Sequence, residues 1–240
     1  MKRIALAVLA LCFAGAGFAI DRNAEAEAVW LKYYSGDKAK YSYLEADTEG
    51  NVLYYTDNGR KAVTRTGQVK KTLARDLFQE IENLDHKGLL KTGDMYTKSE
   101  IYEITANSDG ELITRGIGGQ NLTRGFRMAF GDIEAAAKKL PVNSKVSRLL
   151  IAESVERQAS ESIMAAKSFT GTTVETSDME GVPQLMRAVQ YPNRHVTLTS
   201  DEKMALDSFF LEKRVRQEHG IYYISASRGD FKLRTVYANR

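Results

Sequence analysis

Arg115-Gly116-Ile117-Gly118-Gly119-Gln120-Asn121 is the segment of this 240-residue chain best suited to holding a ligand. It stands between a predicted strand and a predicted helix. Glycines let the backbone approach a bound group closely, and a helix start offers unpaired amides to an anion. Arg115, Arg124 and Arg127 add positive charge around Gly118, Gly119 and Asn121. The pattern stops short of nucleotide binding. Asn121 stands where the dinucleotide fingerprint needs its third glycine, and no strand-ending acid follows at the expected distance. The phosphate-loop signature with its lysine is missing as well. The expectation is a site for a small anion, or a plain connection, with no cofactor.

Tyrosines form a second group: Tyr33, Tyr34, Tyr41, Tyr43, Tyr54 and Tyr55. On a strand, Tyr41, Tyr43 and Glu45 share one face while Ser42, Leu44 and Ala46 share the other. Rings beside a carboxylate can stack on a sugar or a peptide; they can equally pair across strands and simply stabilise a sheet. A third group is Arg228-Gly229-Asp230 in a predicted turn. Exposed, it would present a guanidinium and a carboxylate to an adhesion receptor, although Gly-Asp is also ordinary turn chemistry.

Catalysis finds little support in the residue pattern. His86, His195 and His219 are scattered, without the His-x-x-x-His spacing of a metal site, so no metal is expected. No Gly-x-Ser-x-Gly elbow occurs. Asn121-Leu122-Thr123 matches a glycan acceptor, yet the same residues cap a helix well.

These groups are positioned by a predicted alternation of hairpins and helices. A helix is expected over 21–36, with a strand over Val29 to Tyr34 as the competing reading. Strands at Tyr41 to Ala46 and Val52 to Tyr55 make a hairpin across Thr48 to Asn51. Leu73, Leu77, Ile81 and Leu84 give 72–84 a helical stripe. A second hairpin joins Glu100 to Thr105 with Glu111 to Arg115, and a helix follows until Pro141 stops it. Val146 to Lys167 reads as a helix, or as a strand over its first residues. Thr170 to Ser177 reads as a loop or edge strand. His195 to Leu198 is a strand, and Thr199-Ser200-Asp201-Glu202 is a capping box for the next helix. Lys213, Arg214 and Arg216 suit that helix's negative end, with Gly220 closing it. A last hairpin joins Ile221 to Ser225 with Phe231 to Val236.

The fold class is α+β, antiparallel β-hairpins packed against helices in two small subdomains. The organisation expected is 1–19 signal peptide, 20–141 N-terminal domain and 142–240 C-terminal domain. Lys2 and Arg3, the apolar run Ile4 to Phe13 and the small-x-small triplet Gly17-Phe18-Ala19 fit export with cleavage after Ala19. Ala14-Gly15-Ala16 is an earlier candidate site. Lipidation at Cys12 is disfavoured by Leu11, because that processing wants a small residue there. The run is too short to span a bilayer, so no transmembrane segment is expected after cleavage.

Cys12 is the sole cysteine, which excludes a disulfide framework from the rest of the chain. The formal +3 falls to +1 on cleavage, because the leader holds two cations and no acid. So small a net charge argues against bulk binding of nucleic acid or anionic membrane. The expected role is a non-catalytic periplasmic or secreted protein, its partner a protein, a glycan or a small anion. An exported hydrolase with dispersed catalytic residues and a secreted adhesion or inhibitor protein are the alternatives.

Overall fold

The computed structural model describes residues 29–34, 41–47, 49–82, 89–90, 101–108, 111–118, 122–155, 170–192 and 194–240. The chain is α+β and divides after Asn143 into two compact units.

The first unit holds a seven-stranded antiparallel sheet with strands β1 (Val29–Tyr34), β2 (Tyr41–Ala46), β3 (Asn51–Asp57), β4 (Ala62–Gln68), β5 (Leu89–Leu90), β6 (Ile101–Ser108) and β7 (Glu111–Gly118). Their order across the sheet is β4-β3-β2-β1-β6-β7-β5. The hairpin expected from 41–55 is present, with Tyr43 opposite Tyr55 and Glu45 opposite Leu53. Gly50 takes φ +84 in its turn, where Val69 N also donates to Gly50 O at 2.9 Å. Helices α1 (Lys71–Glu82) and α2 (Arg124–Ala137) pack on one face. Leu44, Ala46, Val52 and Tyr54 of the sheet meet Ala74, Leu77 and Ile81 of α1 and Phe126, Ile133 and Ala137 of α2. Tyr102 stands edge-on to both Phe126 and Phe130, with ring centroids 5.6 and 5.1 Å apart.

One buried polar group crosses this core. The Tyr54 hydroxyl donates to Glu134 Oε1 at 3.2 Å, and Lys138 pairs with the other Glu134 oxygen. Burial, then the Glu134 charge, pushes the Tyr54 hydroxyl well above its ordinary titration range.

The second unit holds a six-stranded sheet. Its strands β8 (Arg148–Ser154), β10 (His195–Leu198), β11 (Arg216–Glu218), β12 (Ile221–Ala226) and β13 (Gly229–Tyr237) run in the order β10-β8-β13-β12-β11, and the short β9 (Thr172–Thr173) lies parallel to β12. A 3-10 turn (Ser177–Gly181), α3 (Pro183–Gln190) and α4 (Ser200–Glu212) cover one face. Leu150, Ala152, Ile224, Phe231 and Leu233 of the sheet meet Leu185, Leu206, Phe209 and Phe210 there. The capping box is complete: Thr199 Oγ1 accepts from Glu202 N at 3.3 Å, and Glu202 accepts from Thr199 N at 2.7 Å.

Three expectations change. Val29 to Tyr34 is strand rather than helix, paired with β2 and β6. Arg148 to Ser154 is likewise a strand, because Leu149, Leu150, Ile151 and Ala152 are all buried and each side of the backbone has a neighbour strand. Gly220 does not close α4. That helix ends in a Schellman motif at Arg214, which takes φ 49. Val215 N donates to Phe210 O at 2.8 Å and Arg214 N to Leu211 O at 3.1 Å. Val215 is buried beside Phe210, the apolar contact that accompanies this cap. Arg216 then opens β11, and Gly220 (φ +79) turns β11 into β12.

Candidate functional site

Of the glycine-rich segment and its arginines, the described residues include the strand that precedes it and the helix start that follows it, where the chain places a carboxylate of its own. Arg115 and Gly118 lie on β7; Gly119 and Asn121 fall outside the described residues. Arg124 and Arg127 are exposed on the first turn of α2. Thr123 caps that turn, its hydroxyl accepting from Phe126 N at 3.0 Å and donating to Glu80 Oε2 at 3.4 Å. Glu80 comes from α1, and its carboxylate lies against Gly125, where a Cβ would be 2.5 Å from Oε1. An internal carboxylate therefore supplies the negative charge that the helix start favours.

Three of the hairpin's tyrosines turn their rings inward. Tyr43 and Tyr55 are fully buried, and Tyr54 belongs to the core described above. Tyr41 is half-buried, its ring 6.0 Å from that of Tyr55. Tyr43 donates to Glu45 Oε2 at 2.8 Å, and Tyr55 to Asp57 Oδ2 at 3.3 Å. A sugar or peptide stacked flat on Tyr43 is thus excluded by its burial.

The Arg228-Gly229-Asp230 triplet is split. Arg228 is exposed in the turn between β12 and β13, but Asp230 is buried at 6 % exposure, so its carboxylate is not presented to a receptor. His195 is buried in β10, His219 stands in the exposed turn before β12, and His86 lies outside the described residues. Among the described residues no group of three or more His, Cys, Asp or Glu side chains could hold a metal ion.

The surface with the most organised chemistry is the second unit's sheet, on the side away from α3 and α4. Period-2 alternation builds it. Phe231 and Leu233 point into the core, so Lys232 and Arg234 point out; Ala152 and Ile224 point in, so Glu153 and Tyr223 point out. Register then aligns these side chains in rows across strands. One row runs Arg216, Tyr223, Lys232, Glu153 through β11, β12, β13 and β8. The next runs Glu218, Ile221, Arg234. Neighbouring strands are about 4.8 Å apart, which places Arg216 and Lys232 about 10 Å apart with a ring between them.

Ion pairs hold the long side chains in place. Arg216 pairs with Glu218 at 2.5 Å, lies 5.0 Å from the Tyr223 ring centre and donates to Thr170 O at 2.9 Å. The Arg216 guanidinium holds the Glu218 carboxyl below its ordinary range. Arg234 pairs with Glu153 at 3.2 Å, both side chains 43 % exposed. Lys232 is exposed and forms no ion pair among the described residues. Behind this edge Lys213, just past α4, donates to Asp178 Oδ1 at 2.6 Å, which keeps the Asp178 carboxyl low and the Lys213 ammonium high.

Sequence reasoning passed over this face, although two signals point to it. Residues 213–240 hold seven Lys or Arg against two acids, one of them the buried Asp230, while the whole chain sums to only +3. The basic excess is therefore local. Lys232 and Arg234 also alternate with apolar Phe231 and Leu233, the mark of a strand with one wet side. Among the described residues, no helix is long and apolar enough to cross a membrane. The chain matches no protein-family model, no curated protein and no solved structure.

Proposed function

We propose that this chain is an exported, non-catalytic protein that acts by binding or assembly in the periplasm or outside the cell. The observation that carries the binding half is the outward face of the second sheet, where Arg216, Tyr223, Lys232 and Arg234 stand in register and solvent-accessible. A rigid sheet holds such groups more exactly than a loop, and pre-ordered side chains lose less freedom when a ligand arrives. Export rests on the leader: Lys2 and Arg3, the apolar run from Ile4 to Phe13 and the Gly17-Phe18-Ala19 site. Cys12 lies within that leader, so the mature chain needs no oxidant to fold in any compartment.

The test is to express the full chain in a bacterial host, fractionate the cells and weigh the protein by intact-mass spectrometry. The expected product begins at Ile20 and is recovered from the periplasm or the medium. A chain retaining Met1 in the cytosol overturns the export half. Proteolytic footprinting and hydrogen exchange on the mature protein, with and without envelope extract, test the binding half. Protection is expected on β11–β13; protection confined to other surfaces overturns it.

A further inference from the structure

We propose that the outward face of β11–β13 binds an anionic glycan, an extended polymer of sugars carrying carboxylate or phosphate groups. This rests on the reading of the protein as an exported binding protein and names the class of its ligand.

Three properties of the face select that chemistry. First, cations repeat across the strands: Arg216 and Lys232 stand two strands apart, with Arg234 on the adjoining row. A polymer with regularly spaced anions can meet more than one at once, whereas a single small anion cannot. Second, the element between Arg216 and Lys232 is Tyr223, half-buried, with Arg216 over its ring. An aromatic with a polar rim suits the apolar face and hydroxyl edge of a sugar ring. Third, Glu153 and Glu218 are interleaved with the cations. Carboxylates accept hydrogen bonds from the many free hydroxyls of a sugar polymer, which the backbone of DNA does not offer. An anionic membrane fits poorly too. The exposed large apolar side chains of this unit are Met204 and Leu211 on α4, across the sheet, and Tyr237 at its end; the aliphatic side chains beside Arg234, Ile221 and Ile151, are half-buried and buried, so neither projects as a membrane anchor.

Lys232 is the residue to test. It is exposed and forms no ion pair among the described residues, so its replacement should leave the fold intact. Arg216 is unsuitable because it also binds Thr170, and Arg216 N donates to Thr172 Oγ1 at 2.9 Å. The mature protein is titrated by isothermal calorimetry with polygalacturonate oligosaccharides, neutral dextran, a single-stranded DNA oligonucleotide and phosphatidylglycerol vesicles. Binding to polygalacturonate is expected, weakening as salt rises from 50 to 500 mM, with no heat from dextran. Lys232→Gln should weaken it about fivefold to tenfold and Tyr223→Ala by a similar factor, Tyr223→Phe much less. Lys139→Gln, on the first unit, should change nothing. Thermal melts of the variants confirm folding.

Tighter binding to DNA or to vesicles than to polygalacturonate overturns the proposal, as does binding indifferent to Lys232→Gln and Tyr223→Ala. If polygalacturonate fails while the face is still protected by envelope extract, the ligand class is wrong and the binding reading stands. If the chain remains in the cytosol with Met1 attached, the export reading fails, whatever polymer it binds.

Discussion

Replacing Gly125 by alanine should reveal the internal anion at the start of α2. Gly125 is the second residue of the helix, where Ala normally gains about 0.5–1 kcal/mol over Gly. Here the new Cβ would fall 2.5 Å from Glu80 Oε1 and closer still to Oε2. The backbone of a capped helix yields less readily than a carboxylate on a flexible stem, so Glu80 must swing away. The chain then loses the favourable placement of a charge at a helix N-terminus, worth about 0.3–1 kcal/mol. It also loses the hydrogen bond from Thr123 Oγ1, which at 3.4 Å is long and worth about 1 kcal/mol. The losses exceed the gain, and Gly125→Ala should destabilise by about 0.5–1 kcal/mol. With Glu80 already replaced by alanine, the same substitution should stabilise by about 0.5–1 kcal/mol. The assay is a double-mutant cycle by urea unfolding, followed by far-UV circular dichroism. A coupling energy of about 1–2 kcal/mol is expected, and the single substitution should change sign between backgrounds. Coupling below about 0.5 kcal/mol would show that Glu80 and the helix start act independently, and the reasoning would be refuted.

Gly50→Ala should cost about 3 kcal/mol in the same unfolding assay. The residue has φ +84, a Cβ would lie 2.7 Å from Val69 O, and the 2.9 Å bond from Val69 N prevents the two chains from parting. Arg214→Gly should instead stabilise by about 1 kcal/mol, because glycine adopts the left-handed cap conformation freely; thermal denaturation checks it. Tyr54→Phe should flatten the alkaline limb of the stability curve. The folded state keeps the Tyr54 proton above pH 10 while the unfolded chain releases it, so unfolding sheds a proton and stability falls as pH rises. That slope is about 1.4 kcal/mol per pH unit. Comparing urea midpoints of wild type and Tyr54→Phe between pH 9 and 11 isolates it.

Local signals carried much of the architecture. Thr199 and Glu202 mark the start of α4 three residues apart, and the 41–55 hairpin has alternating faces and a turn rich in small polar residues. Where both sides of a strand are covered, the signal fades. Leu149 to Ala152 are four apolar residues in a row, with neither a helical nor a strand period, so β8 could equally be read as helix. The start of α4's cap was legible, but its end was not, because Arg is an uncommon residue at a left-handed cap and Gly220 was the more conventional stop.

The candidate face was the least legible. Glu153 is separated in sequence from Arg216, Tyr223 and Lys232 by some sixty to eighty residues, and they share a row only because four strands pair in one register. The tyrosines misled for the opposite reason. Tyr41 and Tyr43 beside Glu45 read as a recognition face from the sequence, and only cross-strand pairing with burial shows that Tyr43, opposite Tyr55, is an interior group.

The residues that follow α2 also guard the first sheet against its own kind. β4 is the last strand on its side, and an uncovered outer strand is a template on which another chain can grow. Val142 bridges to Arg65, Asn143 N donates to Thr64 O at 2.9 Å, and Asn143 Nδ2 donates to Thr66 Oγ1 at 2.8 Å, while the Arg65 guanidinium grips Leu140 O. Those contacts consume hydrogen-bonding groups that a stacking molecule would otherwise use. Shortening or rerouting residues 140–143 should therefore show itself first as fibre-forming or precipitating protein, before any loss of the helices packed on the other layer.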